Sequence, residues 1–370
     1  MHQCSRRRFM QQSASLVVAG AVGSTSSKQI FAGEPVREYE RGGMLYRRLG
    51  HTDLFVSALS FGSHTDPDFK KQAKHGNVLT EEGQARRDRQ LARAFDMGVN
   101  MVDTYENMGQ WGPVARVVKS RRDKVLVSIC RQFDILVGEH IDNAAKLLGY
   151  VDLYRLYVGK IDHRVLENWD FLRKAKAAGK VRSIGISSHD EQGMLQGLRE
   201  LEGLDYIMFP YNFIHARADY SEFLPEAIKK GVGLIAIKPL AAGSIASLDP
   251  NSNPISKPET AQTTLWMARN HKAILPSVVS QITSALNQTP GESLCQAALR
   301  FVYSRPFITS AMPGIFKDHE LTENYNALRQ HIKLGRADSK VLESARCLAK
   351  LSRQQWLPEH YRWLDNQWLA

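Results

Sequence analysis

The chain predicts an α/β fold, a (β/α)8 TIM barrel, on three observations. Eight short apolar runs alternate with amphipathic helical stretches from Met44 onward. Several runs carry almost no polar residue, as strands covered on both faces require. Gly98, Gly179 and Gly231 close three of the helical stretches, where a residue without Cβ ends a helix with no clash.

The strands expected are Val56–Phe61, Met101–Asp103, Lys124–Ile129, Val151–Val158, Val181–Ser187, Tyr206–Tyr211, Gly233–Ile237 and Phe307–Met312. Between them, 82–96, 165–178 and 223–230 read as helices. An open, doubly wound sheet is the alternative, and no GxGxxG follows the first strand to support it. Residues 251–260, rich in Pro, Ser and Asn, read as a loop after the seventh strand, on the face where barrels build active sites. The domains expected are 1–40, a leader and linker; 41–336, the barrel; and 337–370, a helical tail packing on it. Trp356, Trp363 and Trp368 in that tail suit either helix packing or a cover over one barrel end.

With 370 residues, 43% hydrophobic and 24% charged, the chain has the composition of a globular protein. Its net charge of +11 includes Arg6, Arg7 and Arg8, and the rest is scattered. No nucleic-acid-binding motif accompanies it, so no nucleic acid partner is expected. Cys4, Cys130, Cys295 and Cys347 are too widely spaced for a metal motif or a disulfide framework. After the leader no apolar run is long enough to span a membrane. The leader itself, Ser-Arg-Arg-Arg-Phe-Met followed by apolar residues 14–22, resembles a twin-arginine export signal. That resemblance implies the twin-arginine machinery as a partner and a periplasmic or other extracytoplasmic destination.

Five segments resemble aldo-keto reductases, in that family's order. They are Tyr46-Arg-Arg-Leu-Gly-His-Thr-Asp-Leu-Phe-Val-Ser57, Gly98-Val-Asn-Met-Val-Asp-Thr104, Val151-Asp-Leu-Tyr154 with Gly179-Lys-Val-Arg-Ser-Ile-Gly-Ile-Ser187, Gly231-Val-Gly-Leu-Ile-Ala-Ile-Lys-Pro-Leu240, and Met312-Pro-Gly314 with Leu321-Thr-Glu-Asn324. The resemblance implies transfer of hydride between NADPH and a carbonyl by a tetrad of Asp, Tyr, Lys and His. The Tyr protonates the carbonyl oxygen, because an alkoxide develops there and must receive a proton.

Carried over by position, only the Asp is kept, as Asp103. Met108 stands at the Tyr position, Cys130 at the Lys position and Tyr157 at the His position. Tyr105 and Tyr157 are the two hydroxyls that could stand in, with Tyr157 better placed; packing into an apolar pocket is its other reading. The cofactor implied is NADP or NAD, with weak binding. Ser187 and Ser188 stand at the nicotinamide positions, and Lys238 and Leu240 follow the seventh strand. Gly314, Lys317, Glu323 and Asn324 lie in the adenosine segment, where Gly314, Ile315 and Glu320 replace residues favourable to a 2′-phosphate. Met208 and Ile237 replace two further contact residues.

Two other chemistries are open. Asp103, His64 and His189 at strand ends could hold zinc, although their spacing also fits surface histidines and no metal is expected. Cys130 is either a nucleophile beside a base or a buried thiol. The functions that compete are an oxidoreductase with altered or weak carbonyl and alcohol chemistry, an inactive barrel that binds a small ligand, and a structural component of an exported complex.

Overall fold

The structure, a computed structural model, describes residues 38–73, 76–104, 110–131, 137–213, 215–241, 245–246 and 291–329. The leader, Tyr105, Met108, the 251–260 loop and the 337–370 tail lie outside them.

The described chain opens with an antiparallel sheet of β1 (Glu38–Arg41), β2 (Met44–Arg48) and β3 (Phe55–Ser57). A hairpin of β4 (Lys70–Ala73) and β5 (Gly76–Leu79) follows. Helices and strands then alternate: α1 (Glu81–Asp96), β6 (Met101–Asp103), α2 (Trp111–Val118), β7 (Leu126–Cys130), α3 (Val137–Leu148), β8 (Val151–Tyr157), α4 (His163–Ala177), β9 (Val181–Ser187), α5 (Glu191–Glu200), β10 (Tyr206–Pro210), α6 (Phe223–Lys229) and β11 (Gly233–Ile237). The last described elements are α7 (Leu294–Tyr303), β12 (Ser310–Met312) and α8 (Asp318–Arg329).

Strands β6 to β12 form one parallel sheet in chain order. Residues 58–62 join its two edges: Leu59 bridges Ala311 and Phe61 bridges Val102, both in parallel. Ser60 N–H donates to Ala311 O and Phe61 N–H to Met101 O, each at 2.9 Å. The result is the expected (β/α)8 barrel. The first strand differs from expectation, because Val56–Phe61 is divided between two sheets. Its first part pairs with β2. Ser57 N–H then donates to Asn100 Oδ1 at 2.7 Å and Ser57 Oγ to Leu59 O at 2.6 Å. Those bonds end the pairing and turn the chain into the barrel. Strand β7 likewise starts at Leu126, after a turn at Lys124, and β12 is confined to three residues.

Local chemistry sets the helix starts. Thr80, Asp162, Asp190 and Ser293 each accept a backbone N–H of the following turn with their side chains. Two apolar layers follow. One lies between sheet and helices; the other fills the barrel, where Leu49, Leu54 and Val56 pack against Met101, Leu126, Leu153, Tyr206 and Ile235.

Several residues of the recurring segments serve this architecture. Gly50 has φ +55, and a Cβ there would lie 2.3 Å from Gly233 N. His51 N–H donates to Gly231 O at 2.7 Å, so the first segment docks on the start of β11. Asp152 is fully buried between Arg122 (2.7 Å) and Arg182 (3.0 Å) and accepts Val127 N–H at 2.9 Å. Among the described residues no helix is long and apolar enough to cross a membrane.

Candidate active site

Parity along the strands decides which side chains enter the barrel. Leu153 packs in the inner cluster, so Arg155 and Tyr157, two and four residues on, face the same side. Arg155 is 3% exposed and meets Asp103, which is 2% exposed. Nη1 donates to Oδ1 at 2.7 Å and Nη2 to Oδ2 at 3.0 Å. Ser128 Oγ donates to Asp103 Oδ1 at 2.9 Å, and Arg155 Nη1 reaches Ser128 Oγ at 2.8 Å. Desolvation pulls the Arg155 pKa down, but the Asp103 carboxylate, with Cys130 beside it, outweighs that and raises it. The forked guanidinium therefore stays charged and locks the carboxylate.

Cys130, at the Lys position, is 5% exposed and pairs in register with Arg155. Burial pushes its thiol pKa up, with Arg155 opposing and Asp103 adding to it. A protonated thiol there is a packed residue and not a nucleophile. Thus a cation does face Asp103, but it comes from β8. Sequence reading by position missed Arg155 and Ser128. The available signal was an arginine at an inward position of β8, two residues after the inward Leu153.

Tyr157 ends β8 at the barrel mouth, 38% exposed. Its hydroxyl lies 3.0 Å from His189 Nδ1, and His189 Nε2 lies 3.1 Å from Lys238 Nζ. The two rings meet edge to face, with centroids 5.7 Å apart. Desolvation raises the Tyr157 pKa, with Cys130 and Asp190 adding to the shift. Desolvation lowers His189 to about 2, with Lys238 and His215 contributing, and lowers Lys238 to about 8. Lys238 has φ +53, a left-handed conformation uncommon outside glycine. Its carbonyl accepts Ala241 N–H at 2.9 Å and Asn212 Nδ2 at 3.0 Å, which fixes that turn.

The positions assigned to a dinucleotide fall in two groups. Near the mouth, Ser187 ends β9, and Ser188 is tied to Asp190, donating to its carbonyl and accepting its N–H. Leu240 is half-buried and packs against the main core. At the other end, a Cβ on Gly314 would meet nothing closer than 3.6 Å. Asn324 is 2% exposed, and its Nδ2 has no partner. Lys317 is engaged by Asp66 at 2.8 Å and Asp68 at 3.1 Å, and Arg86 lies 3.6 Å from Asp66. Glu320 accepts Phe316 N–H at 2.6 Å and Lys317 N–H at 3.0 Å. Glu323 accepts the Ser293 hydroxyl.

Asp103 and His189 belong to separate clusters. Among the described residues no three His, Cys, Asp or Glu side chains are placed to hold a metal ion, His64 included.

A closed parallel barrel with its polar side chains gathered where the strands end has the architecture of a barrel enzyme. A model of the Aldo/keto reductase family matches residues 138–345, and the chain belongs to that family. It is an oxidoreductase of the aldo-keto reductase type. It is 26% identical over 322 residues to L-glyceraldehyde 3-phosphate reductase of Escherichia coli, covering 78% of this chain and 88% of the relative. It is 24% identical over 332 residues to L-galactose dehydrogenase of Arabidopsis thaliana, covering 84% and 96%. Its fold is similar to the holo form of aldo-keto reductase AKR11C1 from Bacillus halodurans, with a TM-score of 0.62 at 19% identity over 81% of this chain and 95% of that one.

Proposed function

We propose that this protein interconverts a small carbonyl compound and its alcohol with a nicotinamide cofactor, by a site altered from the family's tetrad. The observation that carries the reading is the pair of polar clusters at the strand ends: a locked Asp103–Arg155 ion pair inside, and a partly exposed Tyr157 at the mouth with its hydroxyl against His189. The relatives named L-glyceraldehyde 3-phosphate reductase and L-galactose dehydrogenase support a small carbonyl compound as that substrate class.

The residues fit a dinucleotide in part. The Asn324 amide, whose Nδ2 has no partner, and the open surface over Gly314 suit an adenosine, while Ser187 and Ser188 stand where the nicotinamide end is held in the family, and Lys238 and Leu240 follow the seventh strand. A 2′-phosphate fits poorly. Lys317 and Arg86 are balanced by Asp66 and Asp68, and Glu320 takes two backbone donors of the same loop. When bound, the reduced cofactor supplies hydride to a carbonyl carbon. Tyr157 would then hold the carbonyl oxygen and give it a proton, while Arg155 holds the Asp103 carboxylate.

Fluorescence titration with NADH and NADPH, followed by turnover with small hydroxyaldehydes, tests the reading. Cofactor binding with slow reduction is the expected result. No binding of either cofactor would favour an inactive barrel that takes another small ligand.

The same proposal includes export by the twin-arginine route, motivated by Arg6 and Arg7 ahead of the apolar residues 14–22. Replacing both arginines by lysine is expected to hold the protein in the cytoplasm, read by cell fractionation. Unchanged export would sink it.

A further inference from the structure

We infer that Lys238 and His189 form a proton relay behind Tyr157, so that the hydroxyl at the barrel mouth acts as an acid recharged from β11 and not from a lysine at position 130. The inference rests on the carbonyl chemistry proposed above. The three groups span the ends of β8, β9 and β11, with contacts of 3.0 and 3.1 Å.

The donor order follows from what each atom can carry. An ammonium has only protons to offer, so Lys238 Nζ donates to His189 Nε2. His189 is then neutral with its proton on Nδ1, which donates to the Tyr157 oxygen. In this order the proton that a substrate oxygen would receive is that of the Tyr157 hydroxyl. Burial supports this state: the imidazolium is strongly disfavoured, and the ammonium is held near the pH at which it can release a proton.

The balance is simple. As the carbonyl oxygen becomes a hydroxyl, its new proton comes from Tyr157. Tyr157 takes the Nδ1 proton of His189, and His189 takes a proton from Lys238 at Nε2. Lys238 ends as a neutral amine, His189 as the opposite tautomer, and solvent reprotonates the lysine. No imidazolium forms, which suits a histidine whose pKa is lowered by burial. Among the described residues, the titratable and charged groups facing the relay include His215 beside His189, and Cys130 and Asp190 beside Tyr157. Arg131 and Arg164 line the groove on the outer side of Tyr157. Tyr157 is the catalytic residue; His189 and Lys238 are positioning residues that act through it.

The test uses the full-length protein with 15N-labelled histidine. Without cofactor at pH 7, NMR should show His189 neutral with the proton on Nδ1. In Lys238→Met the Nε2 tautomer should gain population. With saturating NADH, carbonyl reduction should decline above about pH 8, and Lys238→Arg should move that limb upward by more than one pH unit. His189→Phe should lower kcat at least tenfold and remove the limb, with NADH affinity unchanged. An Nε2-protonated His189 in the unaltered protein, or a limb that stays in place in Lys238→Arg, would overturn the relay. If NADH fails to bind at all, the carbonyl reading falls and the relay with it. If NADH binds and the tautomer is wrong, the relay falls alone.

Discussion

Arg155 grips Asp103 with both ends of its guanidinium, at 2.7 and 3.0 Å, in the interior of the barrel. The pair transfers the cation opposite Asp103 from the position of Cys130 to the neighbouring strand. This changes what restoring the family tetrad requires. Cys130 pairs in register with Arg155, so Cys130→Lys places a second cation beside a buried one. Met108→Tyr with Cys130→Lys is therefore expected to yield no gain in aldehyde reduction, and the gain should appear only when Arg155→Leu is added. Initial rates at saturating cofactor across these variants check this. Arg155→Leu alone leaves Asp103 buried and uncompensated. It should cost about 3–5 kcal/mol, read from urea unfolding.

The cofactor choice turns on Lys317. With Asp66 and Asp68 both on its ammonium, it has little attraction left for a phosphate. NADPH should bind no better than NADH. Asp66→Asn with Asp68→Asn should raise NADPH affinity about 5–10-fold, roughly 1 kcal/mol, and leave NADH nearly unchanged. Glu320→Arg, the change the sequence alone suggests, should do less. It discards the carboxylate that holds the Phe316 and Lys317 N–H groups. Fluorescence titrations decide between the two, and a submicromolar NADPH affinity in the unaltered protein would contradict the account.

Stability should fall in mild acid. His140 is fully buried, with Nδ1 2.8 Å from the Tyr154 hydroxyl, and burial with help from Arg131 lowers it to about 4. His215 is 2% exposed and lowered to about 3 by burial and Arg217. Both are neutral in the folded protein between pH 6.5 and 4, where the unfolded chain protonates them. The unfolded state then binds more protons, so stability is lost as pH falls through that window. The slope is at most about 1.4 kcal/mol per pH unit for each histidine. Urea midpoints from pH 7 to 4.5 measure it, and a flat profile would show that the two are not buried neutral.

The barrel was legible because its signals are repeated. Alternating apolar runs and helix-closing glycines recur along the chain, and the β6 to β11 boundaries fall within two residues of expectation. The first strand was not legible, because Val56–Phe61 is one apolar run serving two sheets, and the Asn100 side chain that divides it lies 43 residues away. At the candidate site, position alone named Asp103, Cys130 and Tyr157. It could not show that Arg155 points inward onto Asp103, or that His189 and Lys238, separated by 49 residues, touch. Such pairings depend on strand parity and on the stagger of the closed sheet, which motif spacing does not carry.

The most direct measurement is the rate of carbonyl reduction by the full-length protein and its Tyr157→Phe variant, at saturating NADH or NADPH, alongside the cofactor affinity of each. A positioned acid contributes about 10²–10⁴-fold. The account predicts slow reduction by the unaltered protein, a loss of at least 100-fold in Tyr157→Phe, and equal cofactor affinity in the two. An unchanged rate in Tyr157→Phe would contradict it, since the proton would then come from elsewhere.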